Sequence, residues 1–130
     1  MLLIKDLSAR LPYAVTVEHT SGFRGTLHDI TVHHMYDDND NVYDAICYTD
    51  FFGDNDDIYI EYFKPYLFPL SSMNEEQCIE LIKLINTNQN DNNEFIRSLC
   101  RIDFYNKNHL DYRGLIEKGL AIDATGLNIY

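Results

Sequence analysis

The spacing of the apolar residues changes along this 130-residue chain, and that change constrains the fold more than any other feature. Between residues 14 and 63, apolar side chains recur with the period of two that is typical of strands. From residue 72 onward they recur at helical spacing. Strands followed by helices favour an α+β fold, in which helices pack on one face or end of an antiparallel sheet.

The first half predicts a short opening helix followed by an antiparallel meander of four or five strands. Leu2–Leu11 has helical spacing, and Pro12 should end that helix. Short polar loops between strands favour antiparallel pairing, and the final residues up to Tyr130 would add an edge strand. One variant of this arrangement is a barrel-like sheet. The other expected strands span residues 14–19, 26–35, 42–49 and 58–63.

The second half predicts two or three helices that pack on the sheet. Pro65 and Pro69 should interrupt regular structure. Ser72-x-x-Glu75 has the form of a capping box, and we expect it to open a helix that runs through Ile85.

Two further helices are expected after the polar run at 86–93. One should cover Glu94–Tyr105, and a shorter one should cover Asp111–Lys118 and end at a left-handed Gly119. No linker separates a second apolar core, so residues 1–130 are expected to form a single domain.

The net charge is distributed unevenly along the chain. The total is −11 at pH 7 with histidine neutral. Gly25–Phe63 contains ten acidic residues and no Lys or Arg, which leaves 11 acids against 10 bases in the rest of the chain. A concentrated negative charge disfavours binding to nucleic-acid backbones and anionic membranes, and it favours a basic protein partner.

Tyrosines lie among these acids, and together they suggest an interaction surface. Tyrosine is enriched at interface hot spots, although it is also an ordinary strand residue. The competing interpretation is that the acids serve turn geometry and solubility. A DNA mimic is a special case, because its carboxylates would be spaced like phosphates on one face. The candidate surface consists of Tyr43, Tyr48, Tyr59, Asp38, Asp40 and Asp56.

The sequence contains no standard catalytic or cofactor-binding motif. The stretch from Asp38 begins like an EF-hand loop, but it lacks the central Gly and has Thr49 where the twelfth-position Glu should be. The histidines match no zinc spacing. These observations favour a non-enzymatic interaction or accessory module without a cofactor. The alternative is a metal-dependent enzyme or divalent-cation-binding protein that uses the clustered carboxylates or histidines.

One short segment, Asp111-Tyr112-Arg113, offers a carboxylate, a phenol and a bidentate donor. These three residues form a candidate polar site. The alternative is that Arg113 anchors the last helix to a carboxylate or a carbonyl.

The cysteines and the N-terminus suggest a cytoplasmic protein. Cys47, Cys78 and Cys100 are odd in number and lie among apolar residues, which predicts buried free thiols rather than disulfides. The first residues lack the apolar core of a signal peptide, and no apolar run is long enough to span a bilayer.

Three stretches, KDLSARLPY (5–13), KPYLFPLSSMNEE (64–76) and HLDYRGLIEKGLAIDA (109–124), carry a resemblance. The chain resembles a family of uncharacterised small proteins from gut Bacteroides-type bacteria and their phages or prophages. The stretches cover under a third of the chain, in consistent order. The resemblance implies no activity, ligand or catalytic residue, but a mobile-element context favours an intracellular accessory or interaction role.

Overall fold

The fold is α+β, as the sequence predicts. The computed structural model describes residues 2–35, 42–49, 59–87 and 94–130. Short 3₁₀ turns cover Leu11–Tyr13, Ile60–Tyr62 and Leu70–Ser72. The main elements are α1 (Leu2–Arg10), β1 (Thr16–His19), β2 (Arg24–Met35), β3 (Val42–Thr49), β4 (Phe63–Leu67), α2 (Glu75–Thr87), α3 (Glu94–Lys107) and β5 (Ile122–Asp123).

The five described strands form one mixed sheet in the order β3-β2-β1-β4-β5. β1, β2 and β3 form the expected antiparallel meander, and β4 pairs antiparallel with the other edge of β1. β5 then adds to β4 in parallel. Because β3 and β5 lie at opposite ends of the described order, the sheet is open rather than barrel-like, and the meander accounts for only part of it.

The strand expected at 58–63 is displaced toward the C-terminus. Ile60–Tyr62 forms a 3₁₀ turn, and β4 continues through Pro65, which pairs with Val17 of β1. The prediction that Pro65 interrupts regular structure is therefore wrong. Phe63 and Leu67 are buried in the core, and this burial outweighs the loss of the amide hydrogen at the proline.

The hydrophobic core lies between α1, the sheet and the C-terminal segment. Val15, immediately before β1, and Val17 of β1 are both fully buried, as their alternation predicts. Leu7 of α1 and Leu115 of the C-terminal segment pack into the same cluster. Within α2 and α3, by contrast, only Phe104 and Asn106 are described as buried, so this helix pair lies at the periphery of the core.

A reciprocal capping box begins α2, two residues later than the sequence suggests. The Gln77 amide donates to Asn74 Oδ1 at 2.8 Å, and the Asn74 amide donates to Gln77 Oε1 at 3.1 Å. The Ser72 hydroxyl instead donates to the Pro69 carbonyl within a 3₁₀ turn. The helix Glu94–Tyr105 is confirmed and extends to Lys107, whose ammonium lies 3.8 Å from Glu80 Oε1 and links α3 to α2.

The third helix, expected over Asp111–Lys118, is wrong. These residues form turns, because the Asp111 carboxylate accepts the amides of Leu115 and Ile116 at 2.8 and 2.9 Å. A side chain that binds nearby backbone amides competes with helical hydrogen bonding. Gly119 is left-handed as expected (φ +71°), and the terminal edge strand is present as the short β5.

Two further observations bear on the sequence predictions. All three cysteines are free thiols; Cys47 is buried, whereas Cys78 and Cys100 are half-buried. Within the described ranges, no helix is long and apolar enough to cross a membrane.

Candidate functional site

A buried ionic pair lies on the inner face of α1. Asp6 and Arg10 are one helical turn apart, so their side chains lie on the same face, and both are fully buried. Arg10 Nε donates to Asp6 Oδ2 at 2.7 Å, and Nη2 donates to Oδ1 at 3.1 Å. Nη2 also donates to the Leu110 carbonyl at 2.8 Å. The pair therefore fastens the first helix to a segment 100 residues away.

Arg113 and Tyr112 complete this cluster from the C-terminal segment. Arg113 Nε lies 3.4 Å from Asp6 Oδ1, so two guanidinium groups share one carboxylate. The guanidinium carbons of Arg10 and Arg113 lie 5.4 and 5.0 Å from the centre of the Tyr112 ring. Tyr112 in turn stacks on Tyr105 of α3 at 5.5 Å. The two guanidinium groups share a single carboxylate, and their cation–π contacts with Tyr112 help to stabilise this excess of one positive charge.

The candidate polar residues Asp111, Tyr112 and Arg113 are thus held by three different partners. Asp111 binds backbone amides of its own segment, Tyr112 packs against cations and an aromatic ring, and Arg113 pairs with Asp6. Arg113 anchors the segment to a carboxylate, the alternative drawn from the sequence.

His109 and Tyr130 form a second contact near Arg10. Their rings stack with centroids 3.6 Å apart and planes at 6°. Burial and the charge of Arg10 lower the pKa of His109 to about 4. The Tyr130 hydroxyl donates to the Tyr66 carbonyl at 2.8 Å and accepts from the Thr16 amide at 3.0 Å, and burial of this hydroxyl raises its pKa to about 12. Neither group is poised for proton transfer near neutral pH.

A polar network lies on the exposed side of β1 and its neighbours. Glu18 Oε2 accepts from the Tyr66 hydroxyl and, at 3.0 Å, from Arg24 Nε. The hydrogen bond from Tyr66 and the nearby Arg24 lower the pKa of Glu18. The carboxylate therefore stays ionised and serves to connect three strands.

The residues of the candidate acidic and tyrosine surface are described only in part. Tyr48 at the end of β3 is 45% exposed, and Tyr59 is 37% exposed. Tyr43 pairs with His34 in the ladder between β2 and β3. Asp38, Asp40 and Asp56 lie outside the described residues. Among the residues that are described, no group of three or more His, Cys, Asp or Glu side chains could hold a metal ion.

The helix pair carries an apolar surface that the sequence analysis does not identify. We define the outer helical face as five large apolar residues that are 36% to 67% exposed: Ile79 and Ile82 on α2, and Phe95, Leu99 and Ile102 on α3. On each helix these residues lie three or four apart and share one side. They lie away from the half-buried residues of the same helices, such as Leu81 and Cys100. Apolar spacing alone does not show which of two apolar stripes on a helix is covered by the rest of the molecule.

No protein-family model, no curated protein and no solved structure matches this chain. Function is therefore inferred from the side chains and surfaces described above.

Proposed function

We propose that this chain is a non-enzymatic protein-interaction module that binds its partner through the outer helical face. The observation that carries the proposal is the exposure of five large apolar side chains on two neighbouring helices. Apolar patches on the surface of a folded domain are typical of protein or membrane interaction sites. The net charge of −11 disfavours an anionic membrane, which leaves a protein as the partner.

The composition of α2 supports this proposal. Leu81, Leu84 and Ile85 form a half-buried stripe toward the rest of the molecule, whereas Ile79 and Ile82 form a second stripe that is exposed. A helix that faces solvent on one side normally carries polar residues there. Two apolar stripes are typical of a helix that is covered from two sides.

The ionisable residues near the core also favour a binding role over catalysis. Asp6 and Arg10 pair with each other, and Arg113 pairs with the same carboxylate. Groups held by mutual contacts of this kind are typical of a structural anchor.

The acidic half of the chain would provide a second contact region, separate from the outer helical face, that is selective for a basic partner. Gly25–Phe63 carries ten acids without a base, and a field of one sign accelerates encounter with the opposite sign at low salt. Tyr48 and Tyr59 are exposed within this half and provide a second contact region of the same module.

A capture experiment with matched variants tests the proposal. The tagged chain is immobilised and exposed to a lysate of a Bacteroides-type bacterium that also contains the untagged chain, and retained proteins are quantified by mass spectrometry. Leu99→Gln changes the outer helical face, and Leu127→Gln is the control because both leucines are 46% exposed. We expect at least one protein to be retained by the wild type and by Leu127→Gln, but lost from Leu99→Gln.

Ile82→Gln on α2 should have the same effect as Leu99→Gln on α3, because the proposal assigns both residues to one docking surface. If the retained proteins are unchanged by either outer-face variant, the docking surface is elsewhere and the proposal is wrong.

A further inference from the structure

The exposed side of α2 carries a stripe of residues in a heptad-like spacing. Glu75, Ile79, Ile82 and Asn86 follow one another at spacings of four, three and four, so they form a single stripe along the helix. The two isoleucines occupy the middle of this stripe, and polar residues occupy both ends. An apolar centre with polar ends fits a helix of similar length laid along α2.

Two opposite charges flank this stripe on the same side. Glu76 and Lys83 are both exposed and are seven residues apart, which places them at equivalent positions of a heptad. In an antiparallel helix pair, each flank meets the same flank of the partner. When Ile79 packs against Ile82 of an identical antiparallel helix, Glu76 of one helix therefore lies beside Lys83 of the other. The two-fold axis produces this pair twice.

We propose that the partner of the outer helical face is a second copy of this chain, bound across a two-fold axis with α2 antiparallel to α2. This inference rests on the proposed function, because it names the occupant of the same face. Ile79 and Ile82 of both copies form the centre of the interface. The two Glu76 to Lys83 ion pairs on its flank set the register, as flanking charges do in coiled coils.

A stable dimer must bury more surface than α2 alone provides, so α3 must also belong to the interface. A stable interface buries about 800 Å² of each partner. Two isoleucines from each copy cannot supply that area, so the exposed Phe95, Leu99 and Ile102 must be covered as well.

The charge distribution permits self-association despite the net charge of −11. Ten of the acids lie in Gly25–Phe63, outside both helices of the face. Glu75–Thr87 carries three acids and one base, and Glu94–Lys107 carries two acids and three bases. The two helices together are nearly neutral, so local repulsion across the axis is small.

Charge reversal at the flanking positions tests the inference. Sedimentation equilibrium of the purified chain should give a mass that approaches twice 15.2 kDa as the concentration is raised toward about 1 mM. Lys83→Glu and Glu76→Lys should each weaken the dimer by more than about tenfold, because each places like charges opposite one another. Circular dichroism confirms that both variants remain folded.

Two rescue experiments separate this register from other arrangements. The double variant Glu76→Lys with Lys83→Glu should recover the dimer. An equimolar mixture of the two single variants should form a heterodimer, because every flank pair is then opposite in sign. Ile82→Gln should abolish both, whereas Leu127→Gln should not change either.

A chain that is monomeric at about 1 mM, or a dimer that neither single reversal weakens, overturns the inference. If the purified chain is monomeric but the capture experiment retains another protein that Leu99→Gln loses, only the identity of the partner is wrong. If the chain is monomeric and no retained protein depends on Leu99, the proposed function fails with it.

Discussion

Replacing Asp6 with Asn should destabilise this protein strongly, although the two side chains have nearly the same volume. The change removes the counter-ion of Arg10, which is fully buried, and the ion pair to Arg113. The amide of Asn can still accept one hydrogen bond from Arg10, but its NH₂ group would face the second donor. Arginine cannot lose its proton inside a protein, so a buried cation would remain without a counter-ion.

The expected cost follows from burial. Removing one partner of a buried ion pair costs about 3 to 5 kcal/mol of unfolding free energy. A domain of this kind has about 5 to 15 kcal/mol in total. For a chain of 130 residues this loss corresponds to a decrease in Tm of about 11 to 18 °C.

Urea denaturation followed by circular dichroism measures the effect. Glu18→Gln is the control, because it breaks the ion pair of Glu18 with Arg24, which has similar geometry (3.0 Å) but is partly exposed to solvent. We expect this control to lose much less stability. Adding Arg10→Met to Asp6→Asn should restore stability, since the uncompensated charge is then gone. A loss for Asp6→Asn no larger than that of Glu18→Gln would refute the assignment of a buried, mutually dependent pair.

Three further predictions concern pH, capping and cations. His109 has a pKa of about 4 in the folded chain and 6.5 when unfolded, so the stability that its neutral form provides is complete above pH 6.5 and is lost toward pH 4. Urea titrations at a series of pH values should show a loss of about 2 to 3 kcal/mol of unfolding free energy that is absent from His109→Asn. If the unfolding free energy depends on pH equally in both chains, this prediction is wrong. Asn74→Ala should cost about 1 kcal/mol because it removes the cap of α2, and thermal melts should show a smaller effect for Ser72→Ala; the reverse order would place the cap at Ser72. Calcium at about 1 mM should raise Tm no more than sodium chloride of equal ionic strength, since the acids of Gly25–Phe63 are expected to serve turns and solubility. A larger rise in Tm with calcium would indicate a cation site and favour the metal-dependent alternative.

The elements that local patterns specify were predictable from the sequence. Val15, immediately before β1, and Val17 within it alternate with polar residues, and both are fully buried. The turn at Gly22 (φ +91°) separates β1 from β2, where a short polar loop is expected between the first two strands. The α3 prediction begins at the correct residue, because the polar run before Glu94 separates two apolar periodicities.

The errors arose where distant contacts or side chains override local preference. Pro65 suggests a break, but it lies between the buried residues Phe63 and Leu67 in a strand that pairs with β1. Asp111 begins a stretch with helical spacing, but its carboxylate captures the amides of Leu115 and Ile116 and holds the chain in turns. Neither effect can be read from periodicity, since the first depends on a strand 48 residues earlier and the second on a rotamer.

The buried cluster shows why spacing alone is insufficient. Asp6 and Arg10 stand four residues apart, a pattern that is typical of exposed ion pairs on helices. Nothing local indicates that both are buried, or that Arg113 reaches the same carboxylate. The sequence therefore suggested a polar site at Asp111 to Arg113 but missed the α1 residues that complete it.

The stretches 5–13, 64–76 and 109–124 converge on this cluster and on β4. Arg10 of the first stretch donates to the Leu110 carbonyl of the third, and the Ala124 amide of the third donates to the Leu67 carbonyl of the second. These stretches therefore hold distant parts of the chain together. The outer helical face, including Ile82 and Leu99, lies outside all three stretches. Substitutions on that face, such as Ile82→Gln and Leu99→Gln, can accordingly alter partner binding while the anchoring contacts remain. The capture experiment measures this difference.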